Sequence, residues 1–321
     1  MPIRIPDGLP AKQTLRDERI FALEEDVASG QDIRPLKIAI LNLMPKKIET
    51  ETQILRLLSK SPIQVDVDFM RVSTHESTHV SRDHLVKFYE TFDTYRSENY
   101  DGLIVTGAPV EQMDYEDVDY IDELWEIVDW SQGHVFSTMY LCWGALAGLY
   151  HLYGIPKHQL PEKLFGVFPQ RLMDEYNFLT NGFDEVHAMP HSRHADIDPA
   201  DLVPHPELQV LSKGATSGPA LIATPDFHEV YVLGHYEYGR DTLADEYRRD
   251  RDAGLPIALP ENYFPGNDPR KQPIFTWRSH ANLLYRNWLN WVYQMTPYDR
   301  DEIPQAISEL RSQTYEMAKK F

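Results

Sequence analysis

Apolar positions in the first half of the chain gather into short runs separated by amphipathic stretches, and the alternation repeats four times. The runs Leu36 to Leu43, Val65 to Val72, Tyr100 to Thr106 and Val135 to Leu141 predict strands. The last is apolar without regular alternation, which suits a parallel strand buried on both faces. Between them, Ile48 to Ser59 puts Ile54, Leu55 and Leu58 on one helical face, and His84 to Tyr95 does the same with Leu85, Phe88, Tyr89 and Phe92. A third helix is expected from Tyr120 to Ser131. Strand and helix alternating at crossover length predict a parallel α/β sheet flanked by helices, whose ligands bind beyond the carboxyl ends of the strands.

Past Gly154 the pattern changes to short runs broken by proline and glycine: Phe165 to Leu172, Leu208 to Leu211, Ala220 to Ala223 and Val230 to Tyr236. These predict antiparallel additions to the same sheet. A charged helix from Arg240 to Ala253, a Pro/Gly loop from Gly254 to Pro273 and two amphipathic helices, His280 to Tyr293 and Asp301 to Lys319, complete the chain. Residues 1–36, with a helical patch from Leu15 to Glu25, read as an arm against the body or a neighbouring subunit. The expected division is therefore an arm at 1–36, an α/β domain at 37–300 and a C-terminal helix at 301–321. The arm and the long loop also suit a homodimer.

Composition narrows the class. With 321 residues, 42% of them hydrophobic, the chain can bury one sizeable core. No run is long enough for a membrane span, and the first residues lack the apolar core of a secretory signal. A single cysteine excludes an internal disulfide and points to a reducing cytoplasm. The 31 basic against 50 acidic residues, net −19, argue against nucleic acid and anionic membranes as partners. An acidic stretch with no Lys or Arg runs from Glu111 to Asp129, which reads as a solvated face.

The one cysteine, Cys142, stands where the strand Val135 to Leu141 gives way to a helix opening at Trp143 and stopped by Gly154 and Pro156. A buried cysteine can be a small hydrophobe. At a strand-to-helix turn, however, the helix dipole favours the thiolate, and the Trp143 amide faces any oxyanion formed on an attacked carbonyl. The turn TGAPVE after the third strand offers a second donor near Gly107. Of thirteen histidines, His235 in VYVLGHYEYG is the informative one, because it ends an apolar run with Glu237 two residues on. In an extended backbone both side chains leave one face, so the carboxylate could orient the imidazole as a base. His187, His191 and His194 resemble a metal set, but Pro190 breaks the helix that would align them and no cysteine is near. No metal is expected, and the segment reads as a polar loop lining the pocket. P-loop, dinucleotide and G-x-S-x-G motifs are absent.

These features sit within longer motifs: LNLMPKKIETETQ, TGAPVE, YLCWGALAGLYHLYGI, KLFGVF, MPHSRH, GHYEYGRDTL and SHANLLYRNWLNWVYQ. Together they resemble the homoserine O-acyltransferases of methionine biosynthesis, which have a flavodoxin-like, class I glutamine amidotransferase-like fold. The resemblance implies that Cys142 carries the acyl group as a thioester, with His235 as base and Glu237 completing the site. It further implies Lys163, Ser192 and Arg249 as substrate residues, L-homoserine and acetyl-CoA as substrates, and no permanently bound cofactor. The family contains acetyl and succinyl transferases, and a glutamate at the position of Glu111 goes with acetyl-CoA. Electrostatics agrees: a carboxylate about 5 Å from a succinyl carboxylate costs roughly 3 kcal/mol at an effective dielectric of about 20, or about a hundredfold. A succinyltransferase is the alternative. A glutaminase using the same three residues is disfavoured by C-W-G-A in place of C-x-G-x-Q after the cysteine, and the full site disfavours a ligand-binding regulator.

Overall fold

The computed structural model describes residues 3–5, 8–17, 22–24, 34–74 and 82–318. Its frame is one twelve-stranded sheet with helices on both faces. Four strands come where the apolar runs predict them: β3 (Leu36–Leu41), β4 (Val65–Arg71), β6 (Tyr100–Val105) and β7 (Val135–Leu141). They lie parallel in the order β4-β3-β6-β7, each offset by a helical crossover. Every residue of β7 is buried. The Ser137 hydroxyl donates to Phe227 O at 2.6 Å and accepts from Trp288 Nε1 at 2.8 Å, so that side chain is buried with its hydrogen bonds made.

Two apolar layers cover the sheet. One packs α2 (Lys47–Leu58) and α8 (Arg278–Met295) over it through Ile54, Leu55, Leu284 and Trp288; the other packs α5 (Ile121–His134) and α6 (Trp143–Tyr153) through Leu124, Ile127, Leu146 and Leu149. The C-terminal helix α9 (Ile303–Ala318) docks on β7 through Ile303, Ile307 and Phe136. The segment Glu111 to Asp129 turns its acids outward, as expected, and its Tyr115, Val118 and Leu124 inward.

Several elements depart from the sequence reading. The stretch His84 to Tyr95 is two short helices, α3 (Arg82–Phe88) and α4 (Phe92–Tyr95), interrupted by β5 (Tyr89–Thr91) paired with β4. Helical spacing there is overridden because Tyr89 is drawn inward, where its hydroxyl donates to the buried Glu51 at 2.6 Å. Near the N-terminus the helix is α1 (Ala11–Asp17), earlier than Leu15 to Glu25; β1 (Ile3–Ile5) and β2 (Ala22–Glu24) extend the sheet beyond β4. Residues 18–21 and Glu25 of that patch lie outside the described ones, as does Lys319 of the last predicted helix.

The second half adds β8 (His158–Leu172), β9 (Val186–Asp196), β10 (Gln209–Gly214), β11 (Gly218–Ala223) and β12 (Glu229–Val232). Pairing is antiparallel from β12 out to β9, as predicted, but β12 itself runs parallel to β7. An even number of reversals returns the chain to the direction of the first half. The segment HAMPHSRH is therefore strand β9 rather than a loop. It accommodates Pro190 because β9 is the edge strand of the sheet.

Candidate active site

Three neighbouring parallel strands, β6, β7 and β12, end at the same edge. Gly107 follows the first, Cys142 the second and His235 the third. The site is built from that register: Leu141 pairs with Val232, and Cys142 N donates to Val232 O at 2.8 Å.

Cys142 has φ 48° and ψ −113°, a left-handed conformation that L-residues avoid at a cost of about 1–3 kcal/mol. The sharp turn lifts its sulfur to the opening of α6, whose first N–H groups have no intrahelical acceptor. Close packing makes the turn possible. A Cβ on Gly144 would lie 2.7 Å from Thr106 O and 2.9 Å from Val105 O, so only glycine lets the helix start press on the end of β6. Gly107 completes the mouth, with its Cβ direction 3.4 Å from the Cys142 Cβ and 3.6 Å from Trp143 N. Thr106 steadies the loop by accepting from Leu43 N at 2.8 Å.

His235 and Glu237 do meet, but not as alternate residues of a strand. Strand β12 ends at Val232, and the two residues sit in a turn closed by Tyr238 N donating to His235 O at 3.3 Å. The turn brings His235 Nδ1 within 2.6 Å of Glu237 Oε1. Because a carboxylate only accepts, Nδ1 carries the proton, and the other ring nitrogen is left to the Cys142 side chain, with which His235 also shares a hydrogen bond. Tyr238 stacks on the imidazole at 4.0 Å between centroids. Burial alone would push the His235 pKa down; Cys142 and Glu237 outweigh it and hold the group well above the usual histidine range.

Cys142, His235, Glu111, Ser192 and Arg249 line a single cleft of about 300 Å³. Lys163 is one bond removed from it. The residue that joins them is Glu246 on α7 (Thr242–Asp252), which composition had hidden among the charges of a surface helix. Its carboxylate accepts from Lys163 Nζ at 2.5 Å and from Ser192 Oγ at 2.9 Å to each oxygen, with Arg249 Nη2 at 3.8 Å. Arg249 is half exposed at the rim and also pairs with Asp250 at 2.6 Å. Glu111 enters by its loop, whose main-chain carbonyl accepts from Lys157 Nζ at 2.9 Å and Gln159 Nε2 at 2.8 Å.

The three histidines of β9 do not converge. His187 meets the Tyr236 hydroxyl at 2.7 Å, and burial, helped by His280 beside it, lowers its pKa to about 3. His191 is buried against Arg193 and Gln170. Among the described residues no three His, Cys, Asp or Glu side chains form a metal-ligand group, and no helix is long and apolar enough to cross a membrane.

A parallel sheet with an antiparallel extension and a cysteine elbow at its carboxyl edge has the class I glutamine amidotransferase-like fold. The structure matches a glutamine amidotransferase from Thermotoga maritima with a TM-score of 0.53, covering 81% of this chain and 99% of that one at 10% identity. Residues 2–298 match the family model described as homoserine O-succinyltransferase, and the chain belongs to that family of acyltransferases in methionine biosynthesis. It is 64% identical to a homoserine O-acetyltransferase from Bifidobacterium adolescentis over 97% of this chain and 91% of that protein. It is 52% identical to a homoserine O-acetyltransferase from Desulfitobacterium hafniense over 94% of this chain and 99% of that one.

Proposed function

We propose that the protein transfers the acetyl group of acetyl-CoA to the hydroxyl of L-homoserine through a thioester on Cys142. The observation that carries this reading is the strained Cys142 elbow bonded to a His235 that is itself held by Glu237, in one cleft with Glu111, Glu246 and Arg249. In the resting site the proton lies on the imidazole and the sulfur is the nucleophile. Sulfur attacks the acetyl carbonyl, and the Trp143 amide and a main-chain amide near Gly107 take the oxyanion. Collapse breaks the C–S bond to CoA, whose sulfur leaves with the proton from His235. Homoserine then enters; neutral His235 takes its hydroxyl proton as the oxygen attacks the thioester, and collapse releases O-acetylhomoserine and restores the sulfur–imidazolium pair.

Substrate chemistry accounts for the rest of the cleft. Glu246 suits the α-ammonium of homoserine, and Arg249 its carboxylate through a two-pronged pair. Glu111 decides the donor, since its carboxylate repels the free carboxylate of a succinyl group and leaves acetyl unaffected. A cytoplasmic location suits the free thiol and both substrates, and neither step needs a bound cofactor.

The test is CoA thiol release from acetyl-CoA and from succinyl-CoA, each with and without homoserine, using Cys142→Ala as blank. Homoserine-dependent release from acetyl-CoA, abolished in a folded Cys142→Ala protein, is the expected result. Preference for succinyl-CoA would overturn the donor, substantial activity in the alanine variant would overturn the thioester, and ammonia release from glutamine would replace the reaction class.

A further inference from the structure

We propose that Arg193, buried beneath the His235 turn, is the positioning residue that fixes the imidazole opposite Cys142. Arg193 lies on β9, is 1% exposed and reaches no substrate surface. Its Nη1 donates to Leu233 O at 2.5 Å, two residues before His235, and to His191 Nδ1 at 2.8 Å. Its Nη2 donates to Asp196 Oδ2 at 2.5 Å and Ser217 O at 2.8 Å. The same stretch of chain is pinned to β9 by His235 N donating to Pro190 O at 2.8 Å, and Gly234 approaches so closely that a Cβ there would lie 2.7 Å from Pro190 O.

A buried ion pair is a weak source of stability, because desolvation offsets much of its attraction and apolar replacement is often neutral or better. Besides Asp196, the guanidinium fork holds two main-chain carbonyls, Leu233 O just past β12 and Ser217 O just before β11, a geometry that a lysine point charge cannot reproduce. His191 accepts from Arg193 and is therefore neutral. The ionisable groups facing His235 are then Cys142 and Glu237, with Tyr238 stacked against its ring. Loss of the Nη1 bond frees the main chain that carries His235, and a displacement near 1 Å at a reacting group lowers turnover by about a hundredfold.

This inference rests on His235 acting as the base for Cys142, and the experiment separates the two. Cys142 is the only cysteine in the chain, so alkylation by iodoacetamide reports on it alone. Alkylation rate against pH is measured for wild type, His235→Asn, Arg193→Met and Arg193→Lys, together with kcat, both KM values and Tm. Arg193→Met should lower kcat by about a hundredfold with KM for homoserine within about threefold, and should move the alkylation profile towards that of His235→Asn, with Arg193→Lys in between. A purely stabilising role would lower Tm and leave the profile in place. If wild type and His235→Asn share one profile, the base assignment falls. If they differ and a folded Arg193→Met keeps wild-type profile and kcat, the Arg193 proposal falls. Should the methionine variant not fold, the same outcome in Arg193→Lys overturns it.

Discussion

Replacing Glu237 by Gln keeps the size of the side chain and an oxygen able to accept from His235 Nδ1, and removes only the negative charge. The carboxylate and imidazole centres are about 4 Å apart, given an Nδ1–Oε1 distance of 2.6 Å. At an effective dielectric of about 20 their attraction is roughly 4 kcal/mol, an upper bound of about a thousandfold on any rate that requires the imidazolium. The retained hydrogen bond returns part of this, so kcat/KM for acetyl-CoA should fall by about a hundredfold. The pH dependence is more diagnostic. A histidine whose folded pKa is raised contributes stability and reactivity in full below its unfolded pKa, and loses both as pH rises through the folded pKa. Without Glu237 the folded pKa drops, so the alkaline limb of kcat/KM must move to lower pH. The assay is initial-rate CoA release across neutral and alkaline pH, with Tm read at each pH. A folded Glu237→Gln enzyme with an unmoved alkaline limb and activity within about twofold of wild type would refute the orienting role.

Other substitutions separate the remaining parts of the site. Glu111→Gly should raise the kcat/KM ratio of succinyl-CoA to acetyl-CoA by about a hundredfold, and an unchanged ratio removes Glu111 from donor selection. Glu246→Gln weakens a charged hydrogen bond to the substrate ammonium, so KM for homoserine should rise tenfold or more with KM for acetyl-CoA nearly unchanged; equal changes in both would point to a structural role. Gly144→Ala forces a methyl against two main-chain carbonyls, which costs about 1–3 kcal/mol and should lower Tm by roughly 5 °C. A Tm within about a degree of wild type would show that the elbow tolerates more room than its packing implies.

How far these residues could be found from sequence depended on the range of the interaction. Val135 to Leu141 is a strand to the residue, and Cys142 falls at its end, because apolar periodicity and the strand-to-helix switch are local signals. The His235–Glu237 pair was found through a wrong backbone: two residues apart, the side chains meet across a turn as readily as along a strand. Glu246 left no signal. In TLADEYRRDRD it is one charge among many, and only the fold of β8 and β9 against α7 brings Lys163 and Ser192 to it. Arg193 was hidden likewise, since an arginine between histidines reads as polar surface until the hairpin is seen to cover it.

The division of labour in the sheet follows from these ranges. Parallel strands in register deliver their carboxyl ends to one edge, so nucleophile, base and oxyanion donors can come from three adjacent turns with little freedom in their spacing. That geometry serves any thiol-based acyl transfer, and the resemblance to a glutamine amidotransferase at 10% identity is a resemblance of this frame. Under the proposed function, choice of substrate falls to side chains at the mouth that come from other elements: Ser192 and Lys163 from the antiparallel hairpin, Glu246 and Arg249 from α7, and Glu111 from the loop after β6. Arg193 is where the two sets touch. It belongs to the hairpin that presents Ser192, yet it holds the main chain that carries His235, so under the proposed function the elements that admit the amino acid also fix the base that acts on it.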